Sequence, residues 1–129
     1  MILYVNTIKN RAEEIEIKIF DGEKEVASKF LNAKMAQSEK LIPEIDALLK
    51  KTKIDLKQIE KIKVENIGGS FTALRIGITT ANALGYALNI PVEGTKTGQT
   101  KKNKLEFSVV EPMYEREADI TISKKNVLN

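Results

Sequence analysis

The chain of 129 residues contains no cysteine and no histidine. The first absence excludes disulfides, thiolate metal sites and cysteine nucleophiles; the second removes the usual neutral-pH base and the usual zinc ligand. No apolar run approaches the roughly 18 residues of a membrane span, and the N-terminus lacks the basic flank and cleavage site of a signal peptide. A cytoplasmic protein with no membrane association is the expectation. Charge of one sign is also lacking: 21 Lys and Arg against 18 Asp and Glu leave a net +3. Lys50-Lys51, Lys101-Lys102 and Lys124-Lys125 are pairs rather than a stripe, and read as solvated surface rather than a nucleic-acid face. What remains, 42% hydrophobic and 30% charged residues, describes one soluble domain with a modest core.

The order of elements follows from changes of period. Ile2-Leu3-Tyr4-Val5 is the short apolar run of an inner strand, and Ile15, Ile17 and Ile19 alternate with Glu14, Glu16 and Lys18 as in a strand with one wet face. Asp21-Gly22 marks a hairpin, after which Glu23 to Phe30 returns as a third strand. From Ser38 the period becomes helical: Leu41, Ile45, Leu48 and Leu49 share one face, with Ser38 as N-cap and Pro43 disturbing the first turn. Ile59 to Val64 is a strand, Ser70 to Leu88 a long helix, and Val92-Glu93 a short strand. The result is an α/β order β-β-β-α-β-α-β, a meander followed by right-handed crossovers to parallel strands. Gly94 to Lys104 reads as a loop, Leu105 to Val110 as a further strand, and Ile120 to Ser123 as a tail able to pair at a sheet edge.

The most informative stretch runs from Glu65 to Gly77, where two glycines join an apolar strand to the long helix. Gly68-Gly69 suits positive φ or close backbone approach, and Ser70 or Thr72 can cap the helix. Exposed N–H groups there could hold an anion, yet the Gly-Lys-Ser/Thr ending of a phosphate loop and the G-x-G-x-x-G of a dinucleotide turn are both missing. Three readings stay open: a plain tight turn, an element that shapes an interface, and a nucleotide site. Along the helix, Gly77, Ala81 and Gly85 recur every four residues, with Ala73 one turn earlier. Glycine inside a helix costs roughly 1 kcal/mol against alanine, so such a stripe implies compensation by a close neighbour. That neighbour is either the Ser38 to Lys51 helix or a helix of another subunit. Arg75, the one large cation of this helix, is either a salt-bridge partner or an interface anchor.

An enzyme would have to use acids. Asp21 lies in a hairpin turn, and Asp46, Asp55 and Asp119 show no diagnostic spacing. The first strand ends in Asn6-Thr7, where an aspartate would bring charge against magnesium and Asn6 brings none. Autonomous catalysis, a metal and a cofactor are therefore not expected.

Asn66-Ile67-Gly68-Gly69-Ser70-Phe71-Thr72-Ala73-Leu74-Arg75-Ile76-Gly77 closely resembles the signature of the TsaB (YeaZ) family, in which the turn reads Gly-Pro-Gly-Ser-Phe-Thr-Gly-Leu-Arg-Ile-Gly. Gln37-Ser38-Glu39-Lys40-Leu41-Ile42-Pro43 resembles the family's His-Ser-Glu-x-Leu-Leu-Pro helix start, and Leu88-Asn89-Ile90-Pro91-Val92 its exit from the second helix. Glu111-Pro112-Met113-Tyr114-Glu115-Arg116 is similar to its Pro-x-Tyr-x-Arg element. Asn6 stands where the family has aspartate, Gln37 where it has histidine, Ile67-Gly68 where it has Gly-Pro, and Ala73 where it has glycine.

The resemblance implies a single actin-like/Hsp70-like ATPase (ribonuclease H-like) lobe, with residues 1–95 as core, 94–104 in place of most of a second lobe, and 105–129 as terminal strand and tail. It implies a non-catalytic scaffold in making N6-threonylcarbamoyladenosine at position 37 of tRNA. The partners it implies are a TsaD-like catalytic subunit and a TsaE-like ATPase, with a homodimer when alone and tRNA met only indirectly. The partner interface it implies is Ser38, Leu41, Phe71, Leu74, Arg75, Ile78 and Ala81, to which the small-residue stripe adds Gly77 and Gly85, with Gly68, Gly69 and Ser70 shaping the turn. A small nucleotide-binding enzyme and a self-associating structural protein are the alternatives.

Overall fold

A computed structural model describes residues 1–95 and the backbone at Lys101–Lys102 and Ser108–Val109. Five strands form one mixed sheet: β1 (Ile2–Ile8), β2 (Glu14–Asp21), β3 (Lys24–Asn32), β4 (Lys61–Val64) and β5 (Val92–Gly94), in the spatial order β3-β2-β1-β4-β5. β1, β2 and β3 are antiparallel neighbours, whereas β4 pairs parallel to β1, and β5 to β4. The expected β-β-β-α-β-α-β order is therefore present. Its crossovers are α2 (Ser38–Thr52) and α3 (Phe71–Leu88), and a single turn, α1 (Lys9–Ala12), links β1 to β2.

Alternation along the strands decides what the sheet covers. Leu3, Val5 and Thr7 of β1 are buried, as are Ile17 and Ile19 opposite them on β2 and Ile62 and Val64 on β4. Leu41, Ile45, Leu48 and Leu49 of α2 join Leu74, Ile78 and Ala81 of α3 in the same core, so both helices cover one face of the sheet. On the other face Tyr4 lies between Lys18 and Lys63 in register.

Several local details differ from the expectations. Gln37, in extended conformation, is the N-cap of α2, and Ser38 is its first residue; Pro43 sits inside the helix. The β1–β2 connection is a left-handed turn, with Asn10, Arg11 and Ala12 all at positive φ, a conformation whose composition signals only Asn10. The hairpin at Gly22, with φ of 66°, is as the Asp21-Gly22 pair implies. Ser108–Val109 (β7) is a strand, but it pairs with Lys101–Lys102 (β6) rather than with the five-stranded sheet. The tail segment 120–123 and the element 111–116 lie outside the described residues.

Candidate functional site

The glycine turn brings the end of β4, the end of β1 and the start of α3 together. Gly68 and Gly69 take φ values of 99° and 72°, which a side chain would oppose. Gly69 also presses against Ile8, so a Cβ there would collide with its side chain. Ser70 caps α3, its Oγ accepting from the Ala73 N–H at 3.1 Å. Gly68, Gly69 and Ser70 thus occupy the positions expected of a shape-determining turn.

β1 then locks onto α3. Thr7, 1% exposed, donates its hydroxyl to the Ala73 carbonyl at 2.6 Å. A Cβ on Gly77, one turn further, would lie 2.5 Å from Thr7 Oγ1. Asn6 turns back locally, its Oδ1 accepting from the Ile8 N–H at 2.9 Å. Beside the turn lies an open cleft of about 570 Å³ bordered by Ile8, Arg11, Glu65, Ile67 and Gly68. Asn6 Oδ1 and Thr7 Oγ1 are thus both engaged within the chain. Among the described residues, no three acidic, histidine or cysteine side chains are grouped to hold a metal ion.

Six of the nine residues expected at a partner interface are used inside the protomer. Leu41, Leu74, Ile78 and Ala81 are buried in the core. Gly77 faces Thr7 of β1, and Gly85 faces Val92 of β5 and the Ile90 carbonyl. The small-residue stripe of α3 therefore lets the helix sit close on its own sheet, not on another helix. The physical reason is economy of space: the side chains of β1 and β5 fill the volume that Gly77 and Gly85 leave free.

Ser38, Phe71 and Arg75 remain outside, and the structure adds neighbours to them. Phe71 is 59% and Tyr86 56% exposed at opposite ends of α3, with Arg75 and Thr79 exposed between them. The Arg75 guanidinium stands 5.1 Å from the centre of the Phe71 ring, a cation–π contact that orders both side chains. A groove of about 290 Å³ runs beside them, lined by Ser38, Phe71, Thr72, Arg75, Ile76 and Thr79. Ile42 of α2 and Met35 before it are also exposed apolar side chains. Tyr86, Thr79 and Ile42 were not among the expected site residues. For Thr79 and Tyr86 the signal was Arg75 itself, because a lone cation marks the outer side of a helix and both follow from it by helical spacing along α3.

The sheet face opposite α2 and α3 carries charged side chains that pair with one another. Tyr4 donates to Glu65 Oε2 at 2.7 Å. Burial, reinforced by the Glu65 carboxylate, holds its phenol well above the ordinary range. Lys18 is pushed up by its hydrogen bond to Glu25 and its pairing with Glu16, at 3.0 and 3.3 Å. No helix among the described residues is long and apolar enough to cross a membrane.

A parallel strand pair, a glycine turn and a capped helix over a mixed sheet define one α/β lobe. Known proteins of that kind are found by sequence and by shape. Residues 31–106 match the model of the family described as TsaD, tRNA N6-adenosine threonylcarbamoyltransferase. The chain is 35% identical over 66 residues to the tRNA threonylcarbamoyladenosine biosynthesis protein TsaB of Buchnera aphidicola, covering 51% of this chain and 31% of that protein. It is 46% identical over 54 residues to the tRNA N6-adenosine threonylcarbamoyltransferase of Protochlamydia amoebophila, covering 42% and 16%. The structure of YeaZ from Pseudomonas aeruginosa aligns with a TM-score of 0.63 and 22% identity, over 73% of this chain and 42% of that one. The likeness to YeaZ is one of fold, an actin-like, ribonuclease H-like lobe. The chain belongs to the family described as TsaD, tRNA N6-adenosine threonylcarbamoyltransferase, and over about half of its length it is similar to TsaB. It spans about a third or less of the length of these two curated relatives.

Proposed function

We propose that the chain is a non-catalytic scaffold that docks a TsaD-like catalytic subunit in the modification of tRNA to N6-threonylcarbamoyladenosine at position 37. One observation carries the reading: α3 uses its inner face entirely within the protomer, yet presents Phe71, Arg75 and Tyr86 on its outer face. Exposed aromatics beside an arginine are the residue types that anchor protein interfaces. The names of the relatives supply the pathway and the partner class. The interface so proposed is Ser38, Ile42, Phe71, Arg75, Thr79 and Tyr86. In the absence of the catalytic subunit the same face would pair two copies of the chain, and a TsaE-like ATPase would join only the assembled complex. The setting is the cytoplasm, with tRNA bound by the complex rather than by this chain.

The test is co-expression with the TsaD-like protein encoded in the same genome. A complex that survives gel filtration is expected. Separate elution of two folded proteins contradicts the proposal. The alternative, a small nucleotide-binding enzyme, finds its support in the cleft beside Gly68-Gly69. Titration calorimetry with ATP and magnesium decides it, heat of binding at millimolar nucleotide favouring that reading.

A further inference from the structure

The groove beside α3 does not end at Arg75. It shares Thr72 and Ile76 with a second recess of about 170 Å³ that runs under the start of α3. Thr7, Ile15, Ala33, Ala36, Ala73 and Ile76 form most of its wall. Three of those six are alanines, and the Thr7 hydroxyl is already spent on the Ala73 carbonyl. The recess is therefore an apolar notch bounded by short side chains, of a size to take one aliphatic side chain. At its outer side stands Arg75, exposed and with no carboxylate paired to it among the described residues. An apolar notch and an unneutralised cation thus share one groove.

We propose that this notch is the anchor pocket of the docking face. It takes an aliphatic side chain from a partner helix that carries a carboxylate about one turn away, placed against Arg75. The inference rests on the docking reading above and adds to it the chemistry of the partner segment. Charge complementarity selects the acid, since side chains one helical turn apart stand roughly 5–6 Å from each other and can reach the notch and the guanidinium together. Burial in a notch with fixed walls gives such a side chain the central, water-excluded position from which a few residues dominate binding.

Two arms separate the anchor from the docking reading. In the first, the TsaD-like protein of the same genome is titrated against wild-type chain, Ala33→Leu, Thr72→Trp and Arg75→Gln. Ala33→Leu fills the notch from within and Thr72→Trp closes its mouth. Each is expected to weaken binding about 30-fold, the size of an interface hot spot, with an unchanged thermal midpoint. Arg75→Gln is expected to remove most of the salt dependence of the affinity between low and high sodium chloride. In the second arm, xenon under pressure is the probe of the isolated protein. Its methyl NMR shifts should centre on Ile15, Ala33, Ala36, Ala73 and Ile76, and vanish in Ala33→Leu. Wild-type binding that both blocking variants match within twofold, or xenon shifts absent from those methyls, overturns the anchor while leaving the docking reading intact. No binding by the wild-type chain overturns the docking reading and the partner assigned to the notch with it.

Discussion

The two sides of α3 both carry large apolar side chains and differ in burial. The inner side, with Leu74, Gly77, Ile78, Ala81 and Gly85, closes onto β1 and β5 with every position in use. The outer side, with Phe71, Arg75, Thr79 and Tyr86, is exposed, and Arg75 stacks on the Phe71 ring. Large apolar side chains therefore occur on both faces. The small residues do tell them apart: Gly77, Ala81 and Gly85 mark where the helix meets its own core. A stripe of glycine and alanine in a helix is evidence of close approach, but not of which neighbour approaches.

This contrast can be broken by substitution, and the largest effect belongs to the inner side. Leu74→Ala removes a fully buried side chain and should cost roughly 2–5 kcal/mol in denaturant unfolding. Gly77→Ala is the sharper test of direction. In a free helix it would stabilise by roughly 1 kcal/mol. Here the added methyl meets the Thr7 hydroxyl, so a loss of about 1–3 kcal/mol is expected, and a gain would mean that α3 does not sit on β1 as described. Thr7→Val keeps the shape and removes the bond to the Ala73 carbonyl, which should cost about 1 kcal/mol. Thr7→Ser should recover part of it.

Tyr4, on the sheet face opposite the helices, gives a pH dependence. Folding raises the Tyr4 phenol above its ordinary value near 10, so above about pH 10 the unfolded chain binds fewer protons at this group than the folded one. Its contribution is complete below that pH and is lost as pH rises toward the folded value. Stability measured by denaturant at rising alkaline pH should therefore fall less steeply in Tyr4→Phe than in the wild type; equal slopes would remove the account of Tyr4. The smallest effects on stability belong to the outer side of α3. Phe71→Glu and Tyr86→Ser should leave unfolding within about 0.5 kcal/mol of wild type.

Much of the fold was legible because its signals are local. Asp21-Gly22 needs only its own backbone, Ser70 caps from three residues away, and Gly68-Gly69 announces positive φ by composition. The element order followed from the switch between periods of two and 3.6. The site was legible in part. Gly68 and Gly69 take the positive φ that the turn requires and Ser38, Phe71 and Arg75 are exposed, whereas Leu41, Leu74, Gly77, Ile78, Ala81 and Gly85 are internal. The reason is that Thr7 meets Gly77 from far away in the chain, and Val92 meets Gly85 only because the chain turns back from α3 into β5. Local pattern records that space was left, not what fills it. The left-handed turn at Asn10–Ala12 escaped for a related cause, since Arg11 and Ala12 carry no preference for positive φ.

The central claim is that α3 folds with one side and binds with the other. Titration calorimetry of folded Phe71→Glu protein against the TsaD-like protein of the same genome tests it most directly. The account requires a thermal midpoint equal to wild type with affinity about 30-fold weaker or lost. Wild-type affinity in the folded variant would contradict it.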